Sequence, residues 1–204
     1  MLFRLSHKLA LFALFFTAAC PAFSQVAPAA ITSGFPLQVG GGVSVWDMDW
    51  GQTKMEGVTL WTDYYLSHVP SVLRGVGVEV EARDVSFNKG DKPNNFRQAT
   101  VGGGVIYSWH HFRNLHPYIK YDWAFGGIDF RLRPSSGFYE TYTHDTRTVT
   151  APGVGVQYRI FGPVWARADW EYQFWPKLFG PHTLNPSGFT FGAMYAFGNR
   201  RSRY

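Results

Sequence analysis

Ser108 and His110 are the two residues of the chain whose types and spacing best suit covalent chemistry. Residues two apart in a β-strand share one face, and a serine hydroxyl becomes nucleophilic when a neighbouring base takes its proton. Such a pair could cleave or transfer an acyl group. The chain contains no Gly-x-Ser-x-Gly elbow, however, which is a common setting for such a serine. Whether the pair is catalytic therefore depends on its position in the fold.

Metal and phosphate sites have weaker support. His144, Asp145 and His182 fall in two polar stretches and could meet around a metal ion, but their spacing matches no known ligand motif. The run Val-Gly-Gly-Gly-Val occurs at 39–43 and again at 101–105, and neither run continues into the Lys-Ser/Thr of a phosphate-binding loop. Neither run opens a helix, which excludes a dinucleotide fingerprint. We predict no metal, no cofactor and no enzymatic activity.

The composition favours a folded, β-rich protein. The 204 residues include 22 glycines and 8 tryptophans, and 18% are aromatic while only 16% are charged. Disordered chains show the opposite balance. The net charge of +5 is modest, and part of it lies at the two chain ends, so no basic stripe remains for nucleic acid. We predict no nucleic-acid partner.

Apolar and polar residues alternate with a period of two along most of the chain, whereas helical spacing is scarce. In residues 164–174, for example, Ala168 and Trp170 share one face while Asp169 lies on the other. The pattern predicts about eight strands, near 36–47, 55–66, 75–87, 97–110, 117–130, 147–160, 164–175 and 187–197. Longer connections at 48–54, 88–96, 131–146 and 176–186 alternate with short ones such as 111–116 and 161–163.

Two settings produce such alternation: a soluble sheet with its charges in water, and a membrane barrel with its charges in the lumen. The apolar faces are rich in tryptophan, tyrosine and phenylalanine near the strand ends, as in interfacial girdles. The segments also approach or exceed the roughly 9–11 residues that a tilted membrane strand needs. We therefore predict an all-β fold: a single transmembrane, antiparallel, up-and-down β-barrel of about eight strands.

The chain ends carry separate signals. Residues 1–24 combine a basic start, a short apolar run and small residues before a cleavage point after Ser24, which predicts a cleaved signal peptide. A competing hypothesis is lipidation of Cys20, because Thr17-Ala18-Ala19-Cys20 loosely resembles a lipoprotein box. We predict that the barrel spans 25–197 and that 198–204 form a basic C-terminal tail.

The last segment carries a family resemblance. Thr190, Gly192, Tyr195 and Phe197 fill, in order, the positions of the C-terminal signal that bacterial outer-membrane barrels present to their assembly machinery. In pattern, the mature chain resembles the small OmpA-like barrels. The resemblance implies location in the cell outer membrane, with the short turns on the periplasmic side. It also implies assembly by the barrel-assembly machinery with periplasmic chaperones, and contact with outer-membrane lipid and lipopolysaccharide. We further predict that the protein is a monomer.

The alternation of faces along each strand assigns four glycines and nine charged residues to the barrel interior. Gly40, Gly42, Gly102 and Gly104 face inward and make room, because about eight strands leave an interior only just wide enough for side chains. Ionised groups in so narrow a space have to be paired. We predict a lumen plugged by salt bridges rather than a gated ion path. The predicted inward charges are Glu79, Glu81, Arg83, Lys120, Asp122, Arg159, Arg167, Asp169 and Glu171.

Three functional hypotheses follow. The favoured one is a non-enzymatic outer-membrane barrel with a structural or surface-interaction role. The second is a lipid-modifying enzyme, such as a lipid A deacylase or acyltransferase, but Ser108 and His110 fall at the predicted periplasmic end, away from the outer leaflet. The third is a soluble, lipocalin-like periplasmic barrel with a ligand cavity lined by aromatic residues.

Overall fold

The computed structural model describes residues 37–49, 54–66, 69–70, 73, 75–87, 96–110, 112, 114–131, 142–177 and 183–197. They form eight strands: β1 (Leu37–Asp47), β2 (Lys54–Tyr65), β3 (Val76–Phe87), β4 (Phe96–Ser108), β5 (Leu115–Arg131), β6 (Tyr142–Phe161), β7 (Val164–Tyr172) and β8 (Ser187–Ala196). Each strand pairs antiparallel with its neighbours in sequence, and β8 closes onto β1. The predicted eight-stranded up-and-down barrel is confirmed.

The strand boundaries differ from the predicted ones mainly in the third hairpin. β5 and β6 stay paired as far as Arg131 opposite Tyr142, so β6 starts five residues earlier than the predicted 147. This added stretch is rich in threonine, a β-branched residue that favours strands. β7 is shorter than predicted and ends at Tyr172, after which Phe174 and Trp175 make only isolated bridges.

The two ends of the barrel differ. β2 is joined to β3, β4 to β5 and β6 to β7 at what we call the short-turn end, where β1 also starts and β8 ends. The connecting stretches there are 66–75, 109–114 and 162–163. At the opposite, long-loop end, the strands are joined through 48–53, 88–95, 132–141 and 173–186. Sequence reasoning assigns the short-turn end to the periplasm.

The outer face of the barrel is apolar. Val80, Val101, Trp123 and Phe125 point outward, and Phe125 is 75% exposed. In a soluble barrel such residues would fill the interior, whereas here the ionised side chains are inside and the apolar ones outside. This polarity is the reverse of the lipocalin-like hypothesis. Among the described residues, no helix is long and apolar enough to cross a membrane.

The glycine runs allow close approach of bulky neighbours. A Cβ atom on Gly40 would lie 2.5 Å from Cε2 of Trp61, and one on Gly104 would lie 2.5 Å from Oδ1 of Asp122. Neither position could carry a side chain without displacing a neighbour. The glycines therefore serve the architecture by leaving space on the inner face of their strands.

The predictions for the chain ends fall outside the described residues. These are the signal peptide at 1–24, the alternative lipidation of Cys20, and the basic tail at 198–204.

Candidate functional site in the barrel lumen

Nine ionisable side chains form a central layer in the lumen, and none is more than 9% exposed. They come from inward positions two residues apart, since only alternate residues of a strand face one side. β2 supplies one of them, and β3, β5 and β7 supply the rest. The layer consists of Asp63, Glu79, Glu81, Arg83, Lys120, Asp122, Arg167, Asp169 and Glu171.

The strands between the charged ones carry glycine at the same level. Glu79 and Asp122 both pair with Gly104, which lies on the strand between them. Lys120 and Glu171 likewise both pair with Gly153 on β6. Because each glycine contributes no side chain, long charged side chains from the flanking strands can meet across it. This alternation of charged and glycine-bearing strands fits nine ionisable groups into one small barrel.

Lys120 occupies the centre of the layer. Its Nζ lies 2.8 Å from Oε1 of Glu79, 2.7 Å from Oε2 of Glu81 and 2.9 Å from Oε2 of Glu171. Asp122 is the fourth carboxylate around it, with Oδ2 at 3.3 Å. One ammonium group thus holds together carboxylates from three strands.

Arg83 and Arg167 bracket this centre. Arg83 donates to Glu171 at 2.8 Å and also pairs with Glu81, while its guanidinium lies 4.2 Å from the ring centroid of Trp46. Desolvated guanidinium–aromatic contacts of this kind are favourable.

Arg167 makes three carboxylate contacts. Its Nη1 lies 2.7 Å from Oε2 of Glu79 and 3.3 Å from Oδ2 of Asp63, and its Nε donates to Asp169 at 3.0 Å. The guanidinium also lies 4.8 Å from the ring centroid of Tyr118, whose hydroxyl donates to Asp169. Arg167 therefore ties β2, β3 and β7 together.

An apolar cluster fills the lumen at the long-loop end. Trp175, after the end of β7, folds inward and lies over Gly126, where a Cβ atom would collide with its ring. Trp175 also donates from Nε1 to Gln173, which joins the apolar cluster to the polar layer. The buried members are Trp46, Met48, Met55, Val85, Ala124, Ile128, Val149, Trp175 and Leu184. This cluster lies in the lumen next to the charged layer.

Sequence reasoning missed the apolar cluster. It expected charged and glycine residues inside, because a strict alternation of polar and apolar residues marks the two faces. Near the long-loop end the pattern reverses: Trp46 and Met55 point inward while Asp47 and Lys54 point outward and are exposed. Continuing the parity of Gly40 and Gly42 along β1 would have placed Trp46 inside.

An aromatic layer lies at the short-turn end. The His110 and His116 ring centroids are 4.6 Å apart, His116 is 4.6 Å from Trp165, and Tyr65 is 5.9 Å from His110. Partial burial lowers the pKa of the His110 imidazole, which lies in the turn after β4. These four rings thus contact one another at this end of the barrel.

The candidate catalytic pair lies in the same layer but is not assembled for catalysis. Ser108 is fully buried, and its Oγ has no hydrogen-bond partner among the described residues, so His110 does not contact it as a base. A base has to lie within hydrogen-bond reach of the proton it takes. The geometry gives no support to nucleophilic catalysis by Ser108.

The predicted inward charges are brought together with one exception. Arg159 lies near the β6–β7 turn, where its Nε donates to the carbonyl oxygen of Gly162 at 2.9 Å, at the short-turn end rather than in the central layer. Asp63 was not among the predicted residues although it is fully buried in that layer. Leu60 and Tyr64 face outward and lie an odd number of positions from Asp63 on β2, so the alternation of faces could have identified Asp63 as inward.

The metal hypothesis brings no ligands together. His144 contacts Asp129, whereas Asp145, on the other face of β6, pairs with Arg147 at 3.0 Å. His182 lies outside the described residues. In the part of the chain that the structure describes, no group of three or more His, Cys, Asp or Glu side chains could hold a metal ion.

The residues of the predicted assembly signal divide between the two faces. Thr190 is buried and its Oγ1 lies 2.9 Å from Oγ of Ser44, and Gly192 pairs with Gly42 at the closing seam. Tyr195 and Phe197 are exposed. The seam between β8 and β1 thus combines a polar inner side with an aromatic outer side.

Known proteins share this architecture. The outer membrane protein beta-barrel domain profile matches residues 10–197. Neisserial surface protein A (NspA) is 15% identical over 79% of this chain and 96% of its own, with a TM-score of 0.59. Ail, the attachment invasion locus protein of Yersinia pestis, is 17% identical over 78% of this chain and 95% of its own, with a TM-score of 0.52. These two likenesses show the fold. No curated protein matches the chain significantly.

Proposed function

Because this chain belongs to the outer membrane protein beta-barrel domain family, we propose that it is a non-enzymatic outer-membrane barrel with a structural or surface-interaction role and a closed lumen. The observation that carries this proposal is the filling of the lumen by three successive layers of side chains. Apolar residues lie at the long-loop end, ion pairs in the middle, and aromatic and histidine side chains at the short-turn end. A lumen filled in this way is unsuited to passing solutes.

The ion-paired middle layer supports rigidity rather than transport. Each of its three cations contacts two or more carboxylates, at least one of them on another strand, so opening a path would separate several buried ion pairs at once. Removing one partner of a buried ion pair costs about 3–5 kcal/mol. A path that opens easily would need weaker contacts.

We assign the surface-interaction role to the long-loop end. A rigid barrel holds its connecting segments in place, and binding residues in proteins are concentrated in loops positioned by such scaffolds. The β5–β6 hairpin adds a paired extension there, as far as Arg131 opposite Tyr142. Its exposed His144 and half-exposed Arg147 offer polar groups to a partner. Around the membrane span, the apolar outer face would contact lipid and lipopolysaccharide, and the protein would act as a monomer.

Conductance in planar lipid bilayers tests the closed lumen. We expect the purified, refolded protein to insert without producing steady single-channel currents. We compare these recordings with matched ones of Lys120→Met, which loses the central cation. If neither protein conducts, failed insertion is an alternative explanation. Heat-modifiable migration on gels confirms insertion independently. Steady currents from the unaltered protein would overturn the proposal.

Chemical analysis of the membrane lipid tests the absence of enzymatic activity. We expect the acyl chains of lipid A and phospholipid to be identical in cells with the protein, without it, and with Ser108→Ala. A difference that requires Ser108 would contradict the non-enzymatic role.

A further inference from the structure

The central layer of the lumen carries more carboxylates than cations. Six residues of the central layer are acidic and three are basic, and all nine are buried. The acidic residues are Asp63, Glu79, Glu81, Asp122, Asp169 and Glu171, and the basic ones are Arg83, Lys120 and Arg167. An uncompensated ionised carboxylate in a closed, low-dielectric space is very costly. Three negative charges therefore need compensation that the side chains do not supply.

The hydrogen-bond capacity of Lys120 shows where compensation is missing. An ammonium group has three N–H donors and can satisfy three acceptors directly. Glu79, Glu81 and Glu171 lie at 2.7–2.9 Å from Nζ and take those places. Asp122 is left at 3.3 Å, and neither of its carboxylate oxygens has a hydrogen-bond partner among the described residues. Asp122 is nevertheless only 4% exposed.

The strands around Asp122 add acidic groups rather than a second cation. β3 presents Glu79 and Glu81, and β7 presents Glu171, all gathered on the same Lys120. On β4, the pairing partner is Gly104, which leaves space but no charge beside the carboxylate. On β6, the pairing partner is Ala151, which is also uncharged. The carboxylate of Asp122 thus has three other carboxylates near it and one cation, Lys120, at 3.3 Å.

We propose that the folded lumen takes up protons at these excess carboxylates, with Asp122 as the principal site. A metal ion would need several oxygen ligands around it, whereas no group of three or more possible metal ligands occurs among the described residues. A proton needs one oxygen. Uptake of about three protons neutralises the layer.

The access route for these protons is the short-turn end. The long-loop end is closed by apolar side chains, which offer no ligand to an ion. On the other side of the charges, the buried polar atoms Ser108 Oγ, Gln157 Oε1 and His116 Nδ1 have no hydrogen-bond partner among the described residues. Buried polar atoms of this kind are commonly satisfied by water, and a line of water molecules would carry a proton inward.

Proton uptake makes folding depend on the proton concentration, which gives a direct test. The chain is refolded from urea into detergent micelles at pH 8 in lightly buffered solution containing a pH indicator, and the protons taken up per folded chain are counted. In parallel, the folding equilibrium constant is measured in NaCl, in KCl, and in choline chloride, whose cation is too large for the site. We expect uptake of about three protons per chain and the same folding constant in all three salts, since a ligand that binds only the folded state shifts folding by mass action.

Two variants locate the site. Asp122→Asn keeps the shape of the side chain and removes its charge, so we expect uptake to fall by about one proton. Glu56→Gln is the matched control, because Glu56 is exposed on the outer face and its loss should leave uptake unchanged. Should Asp122→Asn fail to fold, the count for the unaltered chain still decides.

Each outcome decides the inference. Proton uptake without alkali dependence supports it. A folding constant that rises with sodium or potassium but not with choline, in the absence of proton uptake, overturns it, and so does the absence of both effects. The inference rests on the closed lumen proposed above, but the bilayer recordings test closure separately, so a non-conducting barrel that takes up no protons contradicts only the proton site.

Discussion

At the residue scale, the lumen depends on a few side chains that each contact several others. Lys120 joins carboxylates on β3, β5 and β7, whereas the hydrogen bonds of Asp169 with described side chains are those to Arg167 and Tyr118. The cost of removing a buried charge depends on what the removal leaves unpaired. Lys120 and Asp169 should therefore behave differently when they are replaced, although both are buried ionic residues in one layer.

We expect Lys120→Met to lower the free energy of unfolding by about 3–5 kcal/mol, because it leaves several buried carboxylates without their cation. Asp169→Asn should cost about 1–2 kcal/mol, since Arg167 keeps its contacts with Asp63 and Glu79. Urea titrations in lipid vesicles, followed by tryptophan fluorescence, measure both values. Equal costs for the two variants would mean that the central position of Lys120 has no energetic consequence.

At the element scale, strands with charged inner faces alternate with strands that carry glycine on their inner faces. β3, β5 and β7 carry the long charged side chains, and the strands between them carry glycine at several of the paired positions. Period-two alternation sufficed to predict the eight strands, their approximate bounds and most of the inward charges. The inward positions of Trp46 and Met55 were missed because apolar residues replace polar ones on the inner face there, although the parity of the strand still places them inside. Trp175 follows the end of β7, so its position depends on packing against strands far apart in sequence.

Glycine substitutions test this alternation of charged and glycine-bearing strands. We expect Gly104→Ala to lower the free energy of unfolding by about 1–3 kcal/mol, because the added Cβ would overlap the Tyr121 carbonyl oxygen and Asp122. Gly127→Ala is the matched control, since its nearest neighbour would be a His144 ring atom at 3.4 Å, an ordinary contact. Urea titration of both variants in the same vesicles provides the comparison. A Gly104→Ala barrel as stable as the control would contradict the role assigned to the glycines.

The outer face of β7 gives a second test at this scale. Ala168 faces outward between the strand ends, and we expect Ala168→Arg to cost about 2–4 kcal/mol, as for a charge near the bilayer midplane. Thr146→Arg is the control, because Thr146 is exposed on the outer face of β6 near the polar long-loop end, where the cost should be small. Refolding yields into vesicles, scored by heat-modifiable migration, report both. A harmless Ala168→Arg would argue against lipid at this position.

At the scale of the whole molecule, the account depends on one property: apolar residues outside and ionised residues inside. Val80, Trp123 and Phe125 are exposed, whereas Lys120, Arg167 and Glu79 are buried. In water this arrangement would expose a continuous apolar band, which monomeric soluble proteins avoid. In a bilayer the same band contacts lipid, and the closed ladder leaves no unpaired sheet edge.

The most direct test is therefore refolding of the chain from urea with and without an amphiphile. We expect heat-modifiable, protease-resistant barrels in detergent micelles or lipid vesicles, and aggregation in buffer alone, because only an amphiphile can cover the apolar band. The readouts are gel migration before and after boiling, and size-exclusion chromatography of the sample without amphiphile. A monodisperse, folded protein in plain buffer would contradict the assignment of the two faces, and with it the membrane role.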